Sequence, residues 1–184
     1  MLPNVKIQHY TDTFEELKSG LKWKVSDKKI LMAIASTYVM NNKKLNPEKL
    51  LQLADEIKSR AGLFSSMKSY SRFTTAAVLD VHFENPLEQI PTLFQLYDEF
   101  KKAKFKSGVF TYIAASILLT NNDNKTKSGK LIENTKEIYE GMKSEHMFLT
   151  GASDYRIRFQ KAHSFKGGMN GILFVIDEHA FLLL

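Results

Sequence analysis

The chain repeats itself without a gap. Residues 30–60 lie over residues 73–103 at a constant shift of 43 (73 − 30 = 103 − 60 = 43). Under this shift Ala33 falls on Ala76, Asn42 on Asn85, Leu50 on Leu93, Leu53 on Leu96, and Asp55-Glu56 on Asp98-Glu99. A third copy begins at Phe110 and ends near Ser144. Its first helix aligns with the second copy at a shift of 37 and its second helix at 42, so five extra residues (42 − 37 = 5) fall in the polar loop 121–129. A hairpin of this size buries its apolar face only when a neighbour covers it, so a repeat of this length points to stacked helical hairpins. The expected fold class is all-α: an α-α repeat or superhelix with an irregular C-terminal segment. The expected domains are a helical repeat over 1–155, with an N-terminal helix and three hairpins, and an atypical segment over 156–184.

Local signals place the helices. Val5, Tyr10, Phe14 and Leu17 share a face over 4–18, and Gly20 is a stop signal. Ser26 or Asp27 offers a capping oxygen to a helix reaching Met40. Asn46-Pro47-Glu48 is a strong start, because Asn caps, Pro loses nothing at the first helical position and Glu sits at the positive pole. That helix carries Leu50, Leu53, Ala54 and Ile57 on one side and runs to Arg60, with Gly62 ending it. Residues 61–71 read as a connector rich in Ser and Gly. Helices follow over 72–83 and from Asn85-Pro86, where Glu88 completes a capping interaction. Pro91 is expected to bend that helix or delay its regular start. The third pair covers 107–120 and 128–144. Beyond residue 155 no fourth pair is visible, and 172–176 reads equally as a strand or a short buried segment.

Composition narrows the function classes. The 184 residues are 43% apolar and 25% charged, an ordinary globular balance with enough chain for one core. The lack of cysteine excludes disulfides, thiolate metal sites and cysteine nucleophiles. The start carries no secretory pattern, and no apolar stretch approaches the ~20 residues of a membrane helix. A cytoplasmic protein without a membrane partner is expected. The net charge of +6 comes from 22 lysines and only 4 arginines. Phosphate and base recognition favour the planar arginine fork, so the excess reads first as a solvated face and second as a nucleic-acid footprint.

No constellation for chemistry emerges. His9, His82, His146, His163 and His179 lack metal-ligand spacing. Asn121-Asn122-Asp123-Asn124 lacks the glycine and glutamate of a calcium loop and reads as an exposed turn. Gly167-Gly168-Met169-Asn170-Gly171 lacks the ending of a phosphate loop. Asp55-Glu56 and Asp98-Glu99 recur beside Lys58 and Lys101, which fits an exposed charged face better than a catalytic pair. The serines have no nucleophile elbow, and Phe73, Phe83, Phe94, Phe100, Phe110 and Phe148 read as packing. No catalytic residue, cofactor site or metal site is expected, and the chain is read as no enzyme.

The run Leu17-Lys18-Ser19-Gly20-Leu21-Lys22-Trp23-Lys24-Val25-Ser26-Asp27-Lys28 resembles the opening of the bacterial family catalogued as domain of unknown function 4003. The likeness continues through Gly62-Leu63-Phe64-Ser65-Ser66, Arg72-Phe73-Thr74, Asp80-Val81, Phe83-Glu84-Asn85-Pro86, Phe110-Thr111-Tyr112-Ile113-Ala114 and Phe148-Leu149-Thr150 to Asp154-Tyr155. The resemblance implies a longer all-helical protein without an established activity. It also implies a proline and another apolar helix after Tyr155. Arg156-Ile157-Arg158-Phe159 stands there instead, so 156–184 is expected to be a foreign or frameshifted end. A looser similarity to tetratricopeptide and pentatricopeptide hairpins concerns the fold alone. The leading functional expectation is a scaffold module for a protein or peptide; the alternative is an RNA-binding repeat using the basic surface.

Overall fold

Capping side chains start the second and third helices where the sequence places them. The structure, a computed structural model, describes residues 3–21, 23–121, 128–145, 174–176 and 181–183, with side chains described for 4–21, 23–121 and 128–137. Helix α1 spans Pro3–Gly20. Asp27 caps α2, Lys28–Met40, accepting a hydrogen bond from the Lys29 amide at 2.9 Å. Asn46 caps α3, Pro47–Arg60, through the Lys49 amide at 3.0 Å, with Pro47 at the first turn. Then come α4, Ser71–His82; α5, Pro86–Lys102; α6, Val109–Asn121; and α7, Ser128–Glu145. The chain is all-α apart from two short strands in the C-terminal segment. These are β1, Phe174–Ile176, and β2, Phe181–Leu183, paired antiparallel with Val175 opposite Leu182. The expected boundary at 155/156 lies outside the described residues.

The chain divides into two compact units, Met1–Ile90 and Pro91–Leu184, with the division inside α5. In the first unit α4 packs on both α2 and α3, which is hairpin stacking, and α1 packs on α2. Leu50, Leu53, Ala54 and Ile57 point inward as their spacing requires, and Ile34, Tyr38, Met67, Phe73 and Ala77 complete the core. Each such large side chain stabilises by about 1.5–3 kcal/mol relative to exposure. In the second unit Leu93, Leu96 and Phe100 are buried at positions equivalent to Leu50, Leu53 and Ile57. Tyr97 stacks on Tyr112 at 3.8 Å, Phe94 meets Tyr112 edge-on at 5.7 Å, and Ile132 of α7 is buried. The side chains of Ile138 and Met142, which the shift of 42 places over Leu96 and Phe100, lie outside the described residues.

The gapless repeat needs one correction. A shift of 43 carries α2 onto 71–83 and matches α4, but it carries α3 onto 90–103 while α5 begins at Pro86. The second hairpin therefore has a shorter loop and an extra first turn on its second helix. Asn42 and Asn85 are not equivalent in consequence. Asn42 has φ 50°, whereas Asn85 is not in the left-handed region. Asn85 directly precedes Pro86, the place Asn46 takes before Pro47, and a following proline pushes a residue toward extended backbone. Asn122 lies outside the described residues. The positive-φ counterpart of Asn42 is Lys104, at φ 66°. Both end their helices in the same way: Asn42 N–H bonds Val39 O and Lys43 N–H bonds Tyr38 O, as Lys104 N–H bonds Lys101 O and Phe105 N–H bonds Phe100 O. This is the paired 5→2 and 6→1 pattern of the Schellman motif. Pro91 does not delay α5. The carbonyl it leaves without an amide partner belongs to exposed Leu87, on the solvent side.

Candidate functional site

Asp80 is the most deeply buried carboxylate among the described side chains, at 1% exposed. It sits in the last turns of α4 and faces α2, α3 and the loop between them. Tyr38 Oη donates to its Oδ2 at 2.6 Å. The Lys49 ammonium lies 2.6 Å from Oδ1 and the Lys43 ammonium 3.7 Å from the same oxygen. Lys43 also donates to the main-chain carbonyl of Asp80. A buried carboxylate is tolerated when opposite charges and hydrogen bonds replace its water; Tyr38 supplies the hydrogen bond at Oδ2, and Lys43 and Lys49 supply the opposite charge at Oδ1. The Tyr38 hydroxyl is pushed well above the ordinary tyrosine range, first by burial and then by the adjoining Asp80 carboxylate.

The Schellman turn at Asn42 makes this geometry possible. Its left-handed residue turns the chain back, so that Lys43 bonds Tyr38 O with its amide while its side chain reaches Asp80. Lys49, in the first turn of α3, closes the loop from the other side. The two lysines thus bracket residues 44–48 and fasten both ends of that segment to one carboxylate.

Residues 44–48 form one wall of an open trough of about 720 Å³. Glu16 and Gly20 of α1 lie opposite, and Leu51 contributes from α3. Leu45 is buried and Pro47 and Leu51 are half-buried, whereas Glu16, Lys44 and Glu48 are exposed. Its lining joins apolar Leu45, Pro47 and Leu51 to charged Glu16, Lys44 and Glu48. Gly20 sets the approach of α1: a Cβ there would stand 3.3 Å from Pro47 Cβ. The glycine read as a stop signal is also the point where α1 touches the start of α3.

A second surface surrounds the C-terminal half of α3. Leu63 is 87% and Phe64 102% exposed, at the tip of the connector into α4. Beneath the tip, a 3₁₀ turn at Ser66–Lys68 is capped by Ser65, and Met67 is buried. Ser69 and Ser71 hydroxyls both donate to Ser66 O, at 2.6 and 2.7 Å. Arg72 Nη1 donates to Lys68 O at 3.1 Å and Ser69 O at 2.8 Å, with its guanidinium 4.5 Å from the Phe73 ring centre. Burial lowers the pKa of Arg72, and the Asp55 carboxylate works against that shift. On the flank of α3, Lys24 pairs with Asp55 at 3.5 Å, which places neighbouring Trp23, 92% exposed, beside this helix.

The residues weighed in the sequence fall as follows. Asp55 pairs with Lys24 and Glu56 with Arg60, not with Lys58, while Asp98 is exposed and Glu99 accepts from Ser128 Oγ at 3.3 Å. His82 Nδ1 lies 2.9 Å from Val78 O. His146, His163, His179, Phe148 and the glycines at 167–171 lie outside the described residues. No group of three or more metal-ligating side chains gathers among the described residues. Sequence reasoning missed the Asp80 cluster and the Leu63–Phe64 tip. The available signals were a lone aspartate in the apolar run of α4 and an apolar pair inside a serine-rich connector.

A family model described as "Protein of unknown function (DUF4003)" matches residues 13–159. The uncharacterized protein YeaA of Bacillus subtilis (strain 168) is 36% identical over 163 residues, covering 88% of this chain and 50% of the relative. The chain thus spans about half the length of that curated relative. No solved structure matches the chain significantly.

Proposed function

The chain belongs to the DUF4003 family of proteins of unknown function, and from that premise we propose that it is a helical-hairpin module that binds a peptide segment of another protein. In this reading it works in the cytoplasm as a scaffold, without a cofactor. The observation that carries the reading is the trough between α1 and residues 44–48, whose wall is fastened at both ends to Asp80. A pre-set wall spares a ligand the entropy of ordering it, which is how rigid modules gain affinity from a small surface. The apolar floor at Leu45, Pro47 and Leu51 supplies contact area, and the rim of Glu16, Lys44 and Glu48 supplies orientation.

The test is affinity capture from extract with and without nuclease, using the full chain and Leu51→Arg, both checked for equal helicity and melting temperature. The reading expects a protein partner held by the wild type and lost by the variant. Capture that disappears with nuclease moves the function to RNA. A protein partner held equally by both chains overturns the trough as the binding surface.

A further inference from the structure

We propose that the loop tip after α3 carrying Leu63 and Phe64 is a docking surface for an anionic lipid bilayer, distinct from the trough and independent of the peptide-binding reading. Three observations converge. The first is shape. Leu63 and Phe64 stand on a loop tip at 87% and 102% exposure, so they protrude and do not line a hollow. A fluid interface closes around protruding side chains without needing a complementary pocket, and aromatic and aliphatic residues are the ones it accepts.

The second observation is rigidity. The buried Met67, the Ser69 and Ser71 bonds to Ser66 O, and the Arg72 bonds to Lys68 O and Ser69 O hold the connector from below. The apolar pair stands in water above this bonded segment. A soluble chain normally buries such a pair or does without it.

The third is charge. From residue 57 to residue 79 there are four cations, Lys58, Arg60, Lys68 and Arg72, and no Asp or Glu. Of the nearby carboxylates, Asp55 is matched by Lys24 and Glu56 by Arg60. With Arg60 matched to Glu56 and Arg72 buried, Lys58 and Lys68 leave the surface around the tip positive. Lysine-rich charge fits a headgroup layer, where the attraction is to a diffuse negative surface and needs no bidentate geometry. The lysine excess that reads as a solvated face in the sequence acquires a partner once two exposed apolar side chains stand beside it. No helix among the described residues is long and apolar enough to cross a membrane, so the contact is interfacial.

The experiment is co-sedimentation of the full chain with vesicles of phosphatidylcholine alone and of equal phosphatidylglycerol and phosphatidylcholine, in low and high salt. Binding to the anionic vesicles only is expected, weakened in high salt. The double variant Leu63→Ser, Phe64→Ser, at exposed positions that leave the core intact, is expected to lower partitioning by about tenfold or more. Lys58→Glu with Lys68→Glu is expected to lower it comparably. No binding to the anionic vesicles, equal binding to both compositions, or full binding by the Leu63/Phe64 variant overturns the proposal. An adverse result leaves the capture experiment on Leu51 unaffected, so the two readings fail separately.

Discussion

Tyr38 and Asp80 are 42 residues apart in sequence and joined by a 2.6 Å hydrogen bond in a site closed to water. The phenol of α2 donates to the carboxylate of α4, and the two lysines at either end of the α2–α3 loop complete the carboxylate's surroundings. One buried charge thus ties successive hairpins together and fixes the wall of the trough.

Tyr38→Phe removes a hydrogen bond to a charged acceptor and is expected to lower unfolding free energy by about 1.5–3 kcal/mol. Urea unfolding followed by circular dichroism measures it. A loss no greater than that of an average surface change would show that Lys43 and Lys49 alone satisfy Asp80.

The same bond gives a pH dependence. The folded-state pKa of Tyr38 is raised, by burial first and by Asp80 second. The contribution is fully present below the unfolded tyrosine pKa of about 10 and is lost as pH rises above it. Stability of the wild type is expected to fall more steeply above that pH than stability of Tyr38→Phe. Parallel profiles from denaturant melts at several alkaline pH values would remove the linkage.

Lys104 occupies the left-handed position that closes α5, at φ 66°. Lys104→Gly is expected to stabilise by about 1 kcal/mol, because a side chain is strained there and glycine is not. Asn85→Gly should bring no gain, since Asn85 lies outside the left-handed region. Thermal denaturation of the two variants distinguishes this assignment from the repeat equivalence of Asn42 and Asn85.

Phe100 is fully buried and meets Phe105 edge-on at 5.2 Å. Phe100→Ala is expected to cost about 3–5 kcal/mol. A cost below about 1 kcal/mol would mean that the second unit has no core at this position.

The helices were legible because their signals are local. Asn46-Pro47 starts α3 by its own chemistry, and the spacing of Leu50, Leu53, Ala54 and Ile57 names the buried face directly. The loops were less legible because repeat equivalence hides small changes of length. The register of 43 survives in the buried leucines but fails at Asn85, where a shorter loop brings the proline forward. The sites were least legible. Asp80 acquires partners from three separate elements, and no spacing along the chain reports a meeting of that kind. Leu63 and Phe64 are apolar by type, and only their exposure in the folded chain shows that they remain outside.

Asp80 as the anchor of the α2–α3 loop is tested most directly by amide hydrogen exchange on the wild type and Asp80→Asn. The substitution keeps the shape and removes the charge. The amides to follow are those of Asn42 and Lys43, bonded to Val39 O and Tyr38 O, and that of Lys49, bonded to Asn46 Oδ1. With the carboxylate's hold on Lys43 and Lys49 removed, these three are expected to exchange at least about tenfold faster, while the amides in the middle of α1 keep their protection. Unchanged exchange at Asn42, Lys43 and Lys49 in Asp80→Asn would contradict the account, because the loop would then hold its shape without the carboxylate.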